Sequence, residues 1–263
     1  MADHSARSER SLDEQGRGRK SMGATTIESA QTVLRTPPIL DLLAAGQCAD
    51  RSVPLLIRGE RGVGKDVLAR LIHATSPRQA YSFIKVNCAV QALERCEADL
   101  FGREKGVSPL AIRVLPGSFE FGNHGTVYLD EVGALPRALV PRLLHTLQTG
   151  EVSRTGGCEI IRVDVRVIAS TVHGGESNDQ LWQELKDLNV VEVCIPPLRQ
   201  RTEEIPVWAS FFLERFNRRY RRDVLLCPDV ITRFKTHAWP GNIRELEEAV
   251  HRLVVGGGGN RLD

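Results

Sequence analysis

The sequence predicts an α/β fold in which a parallel sheet is sandwiched by helices and followed by a smaller helical unit. Three observations carry this. Short apolar runs alternate with helical patterns from residue 52 to residue 195, as buried parallel strands joined by helices require. The first run leads directly into GERGVGKD, Gly59–Asp66, a glycine-rich turn that opens a helix. From Pro196 onward three helical patterns follow and no strand is expected.

The elements follow in order. Residues 1–27 are charged and rich in small residues and read as a disordered tail. Residues 28–45 read as a helix through Val33, Ile39, Leu42 and Leu43, interrupted by Pro37 and Pro38. SVPLLIR (52–58) reads as a central strand, and Lys65–Ala74 has Val67, Leu68, Leu71 and Ile72 at helical spacing. SFIKVN (82–87) and GTVYLDE (125–131) read as strands. Arg137–Thr149 carries Leu139, Val140, Leu143, Leu144 and Leu147 on one helical face. VDVRVIAS (163–170) and VVEVCI (190–195) complete about five strands. Beyond the boundary near Pro196–Pro197, Glu203–Tyr220, Pro228–Thr236 and Gly241–Val254 read as helices, and GGGG at 256–259 ends the last of them. The expected domains are therefore 1–27, 28–195, 196–255 and a tail at 256–263.

Composition narrows the function classes. A chain of 263 residues, 41% hydrophobic, can bury a substantial core, and a net charge of +2 demands neither nucleic acid nor membrane. No run approaches the roughly 20 apolar residues of a membrane span. The N-terminus has no apolar core of a secretory signal. Six cysteines sit singly, without metal-ligand spacing, and read as reduced, buried thiols of a cytoplasmic protein. The basic cluster RFNRRYRR (215–222) spreads its arginines around a helix and reads as a solvated face.

Two strand ends carry chemistry. Gly59, Glu60, Arg61, Gly62, Val63, Gly64, Lys65 and Asp66 have the spacing of a phosphate-binding loop. Gly59 and Gly64 let the backbone curl so that its N–H groups face an anion. Lys65 supplies a point charge for the β- and γ-phosphates, and the helix beginning there adds its positive end. The general pattern has Ser or Thr where this chain has Asp66. Asp130 and Glu131 follow the apolar run Val127–Leu129. Ligands in this architecture lie beyond the carboxyl ends of the strands. Asp130 is assigned to Mg²⁺ through water and Glu131 to general base. Asn87 and Thr171 each end a strand, where either could reach a phosphate or be an ordinary polar residue. Arg244 could fold back onto a phosphate or stay solvated.

Together these residues resemble the AAA+ domain of bacterial sigma-54-dependent transcription activators, from about residue 29 to the end. GERGVGKD resembles the family's GESGTGKE, in which an acid follows the lysine, so Asp66 is ordinary there. FIKVNCA (83–89), DLFGREKG (99–106), GSFEFGNHGTVYLDEVGALP (117–136), LQTGEVSRTGG (147–157), PPLRQRTEEIP (196–206) and WPGNIRELE (239–247) have close counterparts in the same order. The resemblance implies ATP and Mg²⁺ as cofactors. It gives Asn87 the restraint of the catalytic glutamate, Glu131, and makes Thr171 sensor I and Arg244 sensor II of a helical lid. It further implies self-association, or co-assembly with related AAA+ subunits, in a ring that is a hexamer by analogy. Val172 stands where the family has Asn.

Two departures bear on activity. The family loop GAFTGA, whose tip presses on sigma-54, corresponds to GVSPLA, Gly106–Ala111, with Ser108, Pro109 and Leu110 in place of Phe, Thr and Gly. Proline fixes φ and the lost glycine removes access to positive φ, so the contact with sigma-54 RNA polymerase is expected to be impaired. The family's arginine-finger segment corresponds to QLWQELKDLNV, Gln180–Val190, whose only cation is Lys186. A lysine is a poor substitute for the planar fork, and such a finger is worth roughly 10³–10⁵ in rate. The expectation is an ATP-binding protein with weak hydrolysis, without a DNA-binding domain in this chain. A competent ATP-hydrolysing activator with a variant loop and a non-enzymatic interaction protein remain as alternatives.

Overall fold

The structure is a computed structural model that describes residues 53–89, 92–107, 112–172, 190–256 and 261–262. The expectations for the tail, the helix at 28–45, the loop tip at 108–111 and the segment 180–189 lie outside the described residues. The centre is a five-stranded sheet built from β1 (Leu55–Arg58), β2 (Phe83–Asn87), β3 (Thr126–Asp130), β4 (Arg166–Thr171) and β5 (Val191–Cys194). The strands run parallel in the order β2–β3–β4–β1–β5. β4 is buried along its whole length, as a strand covered on both faces must be.

Helices α1 (Lys65–Ala74), α2 (Leu93–Phe101) and α3 (Val140–Thr149) cover the sheet. Leu68, Ala69, Leu71 and Ile72 of α1 pack with Leu55, Ile57 and Ile168 on one face. Leu100, Phe101, Leu139, Val140 and Leu143 pack with Val127 and Leu129 on the other. The helix expected over Arg137–Thr149 begins as a 3₁₀ turn, Arg137–Leu139, and becomes α-helical at Val140. Pro141 at the first turn of α3 has no N–H to lose there. The strand expected from Val163 starts at Arg166, because Val163 and Asp164 are tied into turns through Gly150 O and Asn123 Oδ1.

Helices α4 (Ile205–Tyr220), α5 (Pro228–Thr236) and α6 (Asn242–Gly256) form the lid. Its own core holds Trp208, Phe212, Phe216, Trp239, Leu246, Val250 and Val254. One expectation fails here. Leu225–Leu226 pairs in parallel with Arg261–Leu262, so strand pairing does occur beyond Pro196. A two-residue bridge leaves no periodicity for a sequence reading to detect. The expectation of buried thiols also fails in part: Cys88 and Cys96 are buried, but Cys158 and Cys194 are exposed.

Candidate functional site

The loop after β1 curls because Gly62 and Gly64 adopt φ of 77° and 99°, conformations that cost a side-chain-bearing residue about 1–2 kcal/mol. Gly59 serves differently from expectation. A Cβ there would meet Val63 Cγ2 at 2.9 Å and Ile195 O at 3.0 Å, so close packing, not a turn, excludes a side chain. Lys65 Nζ donates to Gly59 O at 2.9 Å and to Glu60 O at 3.2 Å, and stands 3.6 Å from Glu131 Oε1. Burial lowers the pKa of Lys65, and the carboxylates of Glu131 and Asp130 oppose that shift.

The parallel register sets Asn87 beside Asp130. Asp130 is held by three side chains. Lys85 Nζ approaches Oδ2 at 2.8 Å, and Ser170 Oγ and Tyr128 OH approach Oδ1 at 2.9 and 3.1 Å. Burial alone would raise the pKa of Asp130; the Lys85 ammonium and the two hydroxyls overcome this and hold it below the usual carboxylate range. Burial pushes the Tyr128 phenol far up, so it acts as a neutral donor. Ser170 Oγ also accepts from Glu131 N at 3.2 Å. Glu131 itself has φ of 57°, strain on the order of 1–3 kcal/mol that clusters at functional positions.

These groups meet at one cleft of about 1000 Å³. Arg61, Gly62, Gly64, Lys65 and Asp66 form its floor, Asn87, Asp130 and Glu131 one wall, and Arg244 with Glu245, Glu247 and Glu248 the lid wall. Asn87 Oδ1 accepts from Ala89 N at 3.0 Å. Arg244 pairs with Glu248 of its own helix at 3.5 Å. The Thr171 side chain is buried and does not line the cleft; its carbonyl accepts from Gly59 N at 3.3 Å, so it braces the loop through the backbone. Glu60 and Val63 also turn away from the cleft. Glu60 pairs with Arg199 at 2.7 Å, and Val63 O accepts from Arg201 at 2.8 Å.

The three side chains that hold Asp130, namely Lys85, Ser170 and Tyr128, escaped the sequence reading. Ser170 and Tyr128 sit inside apolar runs; a hydroxyl two positions before the strand-end carboxylate Asp130 could have signalled Tyr128, while Ser170, followed by Thr171 and Val172, carries no such signal. The acidic residues suit a hard cation. Asp66 Oδ1 is shielded from solvent without a hydrogen-bond donor and faces Lys85 at 3.4 Å. Among the described residues no group of three or more His, Cys, Asp or Glu could hold a metal. A cation here would therefore take further ligands from phosphate and water, as Mg²⁺ does.

A parallel sheet with a glycine-rich loop after β1, an acidic pair at the end of β3 and a helical lid over the cleft defines an AAA+ module of the P-loop fold class. The chain belongs to the sigma-54 activator family: the family described as Sigma-54 interaction domain matches residues 39–188, and that described as AAA+ ATPase lid domain matches 199–263. It is 41% identical over 220 residues to the DNA-binding transcriptional activator HyfR of Escherichia coli K12, covering 80% of this chain and 32% of HyfR. It is 37% identical over 241 residues to the regulatory protein AtoC of the same organism, covering 88% of this chain and 52% of AtoC. The chain thus spans between about a third and a half of these relatives. The crystal structure of NtrX from Brucella abortus superimposes with a TM-score of 0.77 at 30% identity, covering 96% of this chain and 57% of NtrX. NtrX in complex with ADP gives 0.76 at 29% identity, over 96% and 59% of the two chains.

Proposed function

We propose that this chain binds ATP with Mg²⁺ in the cleft between sheet and lid, hydrolyses it weakly, and takes part in regulating transcription as an AAA+ module with an altered sigma-54 contact. The observation that carries the reading is Lys65, held by Gly59 O and Glu60 O at the cleft floor and 3.6 Å from Glu131. Known complexes of NtrX with ADP and ATP support it. We assign 28–195 to the nucleotide-binding domain and 196–255 to the lid. Co-assembly with like subunits in a cytoplasmic ring follows by family analogy.

Lys65 and the loop N–H groups of Gly59–Asp66 bind the β- and γ-phosphates. Asp130, with Asp66 close by, would hold Mg²⁺ through water, and the cation would neutralise charge on the phosphate oxygens. Glu131 is positioned to take the proton of an attacking water. Asn87 restrains Glu131, Thr171 braces the loop, and Arg244 must leave Glu248 to meet phosphate. Weak hydrolysis rests on Gln180–Asn189, where no arginine is available to a neighbour's site.

Titration with a fluorescent ATP analogue, with turnover followed in parallel, tests this reading. Mg²⁺-dependent binding that disappears in Lys65→Ala is expected. Absence of binding would overturn it in favour of an interaction protein that keeps only the fold. Turnover at ordinary AAA+ rates, abolished by Glu131→Gln, would refute the claim of weak hydrolysis.

A further inference from the structure

Lys85 has no place in the roles assigned above, yet it pairs with two of the acids that line the cleft. It stands on β2 opposite Tyr128 of β3 and extends past the Tyr128 ring, 5.5 Å from its centroid. Its ammonium reaches Asp130 Oδ2 at 2.8 Å and Asp66 Oδ1 at 3.4 Å. One cation therefore bridges an acid of the phosphate loop and an acid of the third strand. The Asp66 oxygen it faces is shielded from solvent and has no hydrogen-bond donor. Arg70 Nε meets the other Asp66 oxygen at 3.4 Å, but Lys85 is the cation between the two carboxylates, and without it their mutual repulsion and their repulsion of an incoming phosphate would grow.

We propose that Lys85 is the built-in counter-cation of the Asp66–Asp130 pair, a positioning group that holds both carboxylates at the cation site and yields to Mg²⁺ when nucleotide brings it. The inference rests on the ATP·Mg²⁺ reading of the cleft. A permanent charge at this position does two things. It lowers the repulsion that metal-free nucleotide meets, and it competes with the metal for the same carboxylates. Both effects reduce the dependence of nucleotide affinity on Mg²⁺. Lys85 carries its charge on a long, partly exposed side chain, so it can swing aside without rearranging the sheet.

The experiment compares the affinity of a fluorescent ADP analogue in excess Mg²⁺ and in EDTA for wild type, Lys85→Met and Lys85→Arg. For Lys85→Met the ratio of the two affinities should rise about tenfold, a coupling of ordinary size, mainly through loss of metal-free binding. Lys85→Arg should keep the wild-type ratio. A ratio unchanged in Lys85→Met, or an equal loss in both conditions, overturns the proposal and makes Lys85 a merely structural ion pair. A Lys85→Arg ratio that follows Lys85→Met overturns the charge argument. Wild type that binds nucleotide in neither condition instead refutes the reading of the cleft, and the inference with it. Unfolding midpoints of the three proteins show whether a loss of affinity is a loss of fold.

Discussion

Asn242, the first residue of α6, donates from Nδ2 to Glu60 Oε2 at 3.0 Å, across 182 positions of sequence. The same amide donates to Arg61 O at 3.0 Å, and its Oδ1 accepts from Leu198 N at 2.7 Å. Ile243 N donates to Gly62 O at 3.0 Å. The lid is thus bolted to the phosphate loop through one fully buried side chain, held at a φ of 55° that asparagine tolerates better than most residues. Asn242→Asp keeps the shape, removes both donors and faces Glu60 with a like charge. It should destabilise the protein by about 2–3 kcal/mol. Glu60→Gln keeps an acceptor for Asn242 and should cost less. Urea unfolding midpoints of the two variants check the order.

Gly62 provides an independent test of the same junction. A Cβ on Gly62 would lie 2.2 Å from Gly241 O and 3.1 Å from Arg244 Cβ. Gly106 has a similar φ of 87°, with nothing within 4 Å of its Cβ position. Gly106→Ala should therefore show only the backbone strain, about 1–2 kcal/mol. Gly62→Ala should show that strain plus loss of lid docking, seen as a lower thermal midpoint than Gly106→Ala and as weaker nucleotide binding. Equal midpoints would mean that the lid does not rest on the loop.

The parts of this architecture that repeat were legible in the sequence. Lys65–Ala74 and Pro228–Thr236 form helices over the expected residues, because their apolar positions recur at 3.6 residues and their ends carry glycine or proline. The five strands appear where apolar runs predict them, one to three residues shorter. What was not legible depends on contacts between distant positions. Glu60 reads as a loop residue, but its partner is chosen by how α6 packs. Ser170 and Tyr128 read as core, because strand periodicity cannot tell a buried hydroxyl that holds a carboxylate from one that merely fills space.

Ser170 gives a prediction of its own. Its hydroxyl is shared by Asp130, Tyr128 and Glu131 N. Ser170→Ala leaves Asp130 with Lys85 and Tyr128, so cation binding should survive. Glu131 loses the acceptor that fixes its backbone at positive φ. Nucleotide affinity should stay within about twofold while single-turnover hydrolysis falls about tenfold, the worth of one hydrogen bond. An affinity loss as large as the rate loss would assign Ser170 to metal binding instead.

His73 sets a pH dependence. Its Nδ1 meets Thr126 Oγ1 at 2.9 Å inside the core, and burial lowers its pKa, with the nearby Arg166 and Arg70 charges acting in the same direction. In the unfolded chain the ring titrates near its ordinary value, about 6.5. Below that pH the unfolded state takes up a proton that the folded state refuses. Stability is therefore complete above about pH 6.5 and falls as pH drops toward the folded pKa, with a slope of at most about 1.4 kcal/mol per pH unit. His73→Asn should flatten this stretch of the stability curve, measured by urea unfolding between roughly pH 5 and 7.

The ion pair Arg201–Glu204 is the most deeply buried in the lid connection, at 2.8 Å with side chains 3% and 2% exposed. Arg201 also donates to Val63 O and to Pro196 O, and Trp208 Nε1 donates to Glu204 Oε2 at 3.2 Å. It therefore ties the glycine-rich loop, the segment that follows β5 and α4 together. A charge pair this far from water costs much of what it gains, so its value shows when one member is removed. Arg201→Met removes the counter-charge beside the buried Glu204 carboxylate and the donor to the Val63 carbonyl, and should cost about 3–5 kcal/mol. Arg201→Met with Glu204→Gln removes the uncompensated charge while Trp208 keeps an acceptor. The double variant should recover a large part of the loss in an unfolding titration. If it is no more stable than Arg201→Met, the cost lies in the severed bonds to Val63 and Pro196, and Arg201 acts as a backbone clamp more than as a counter-ion.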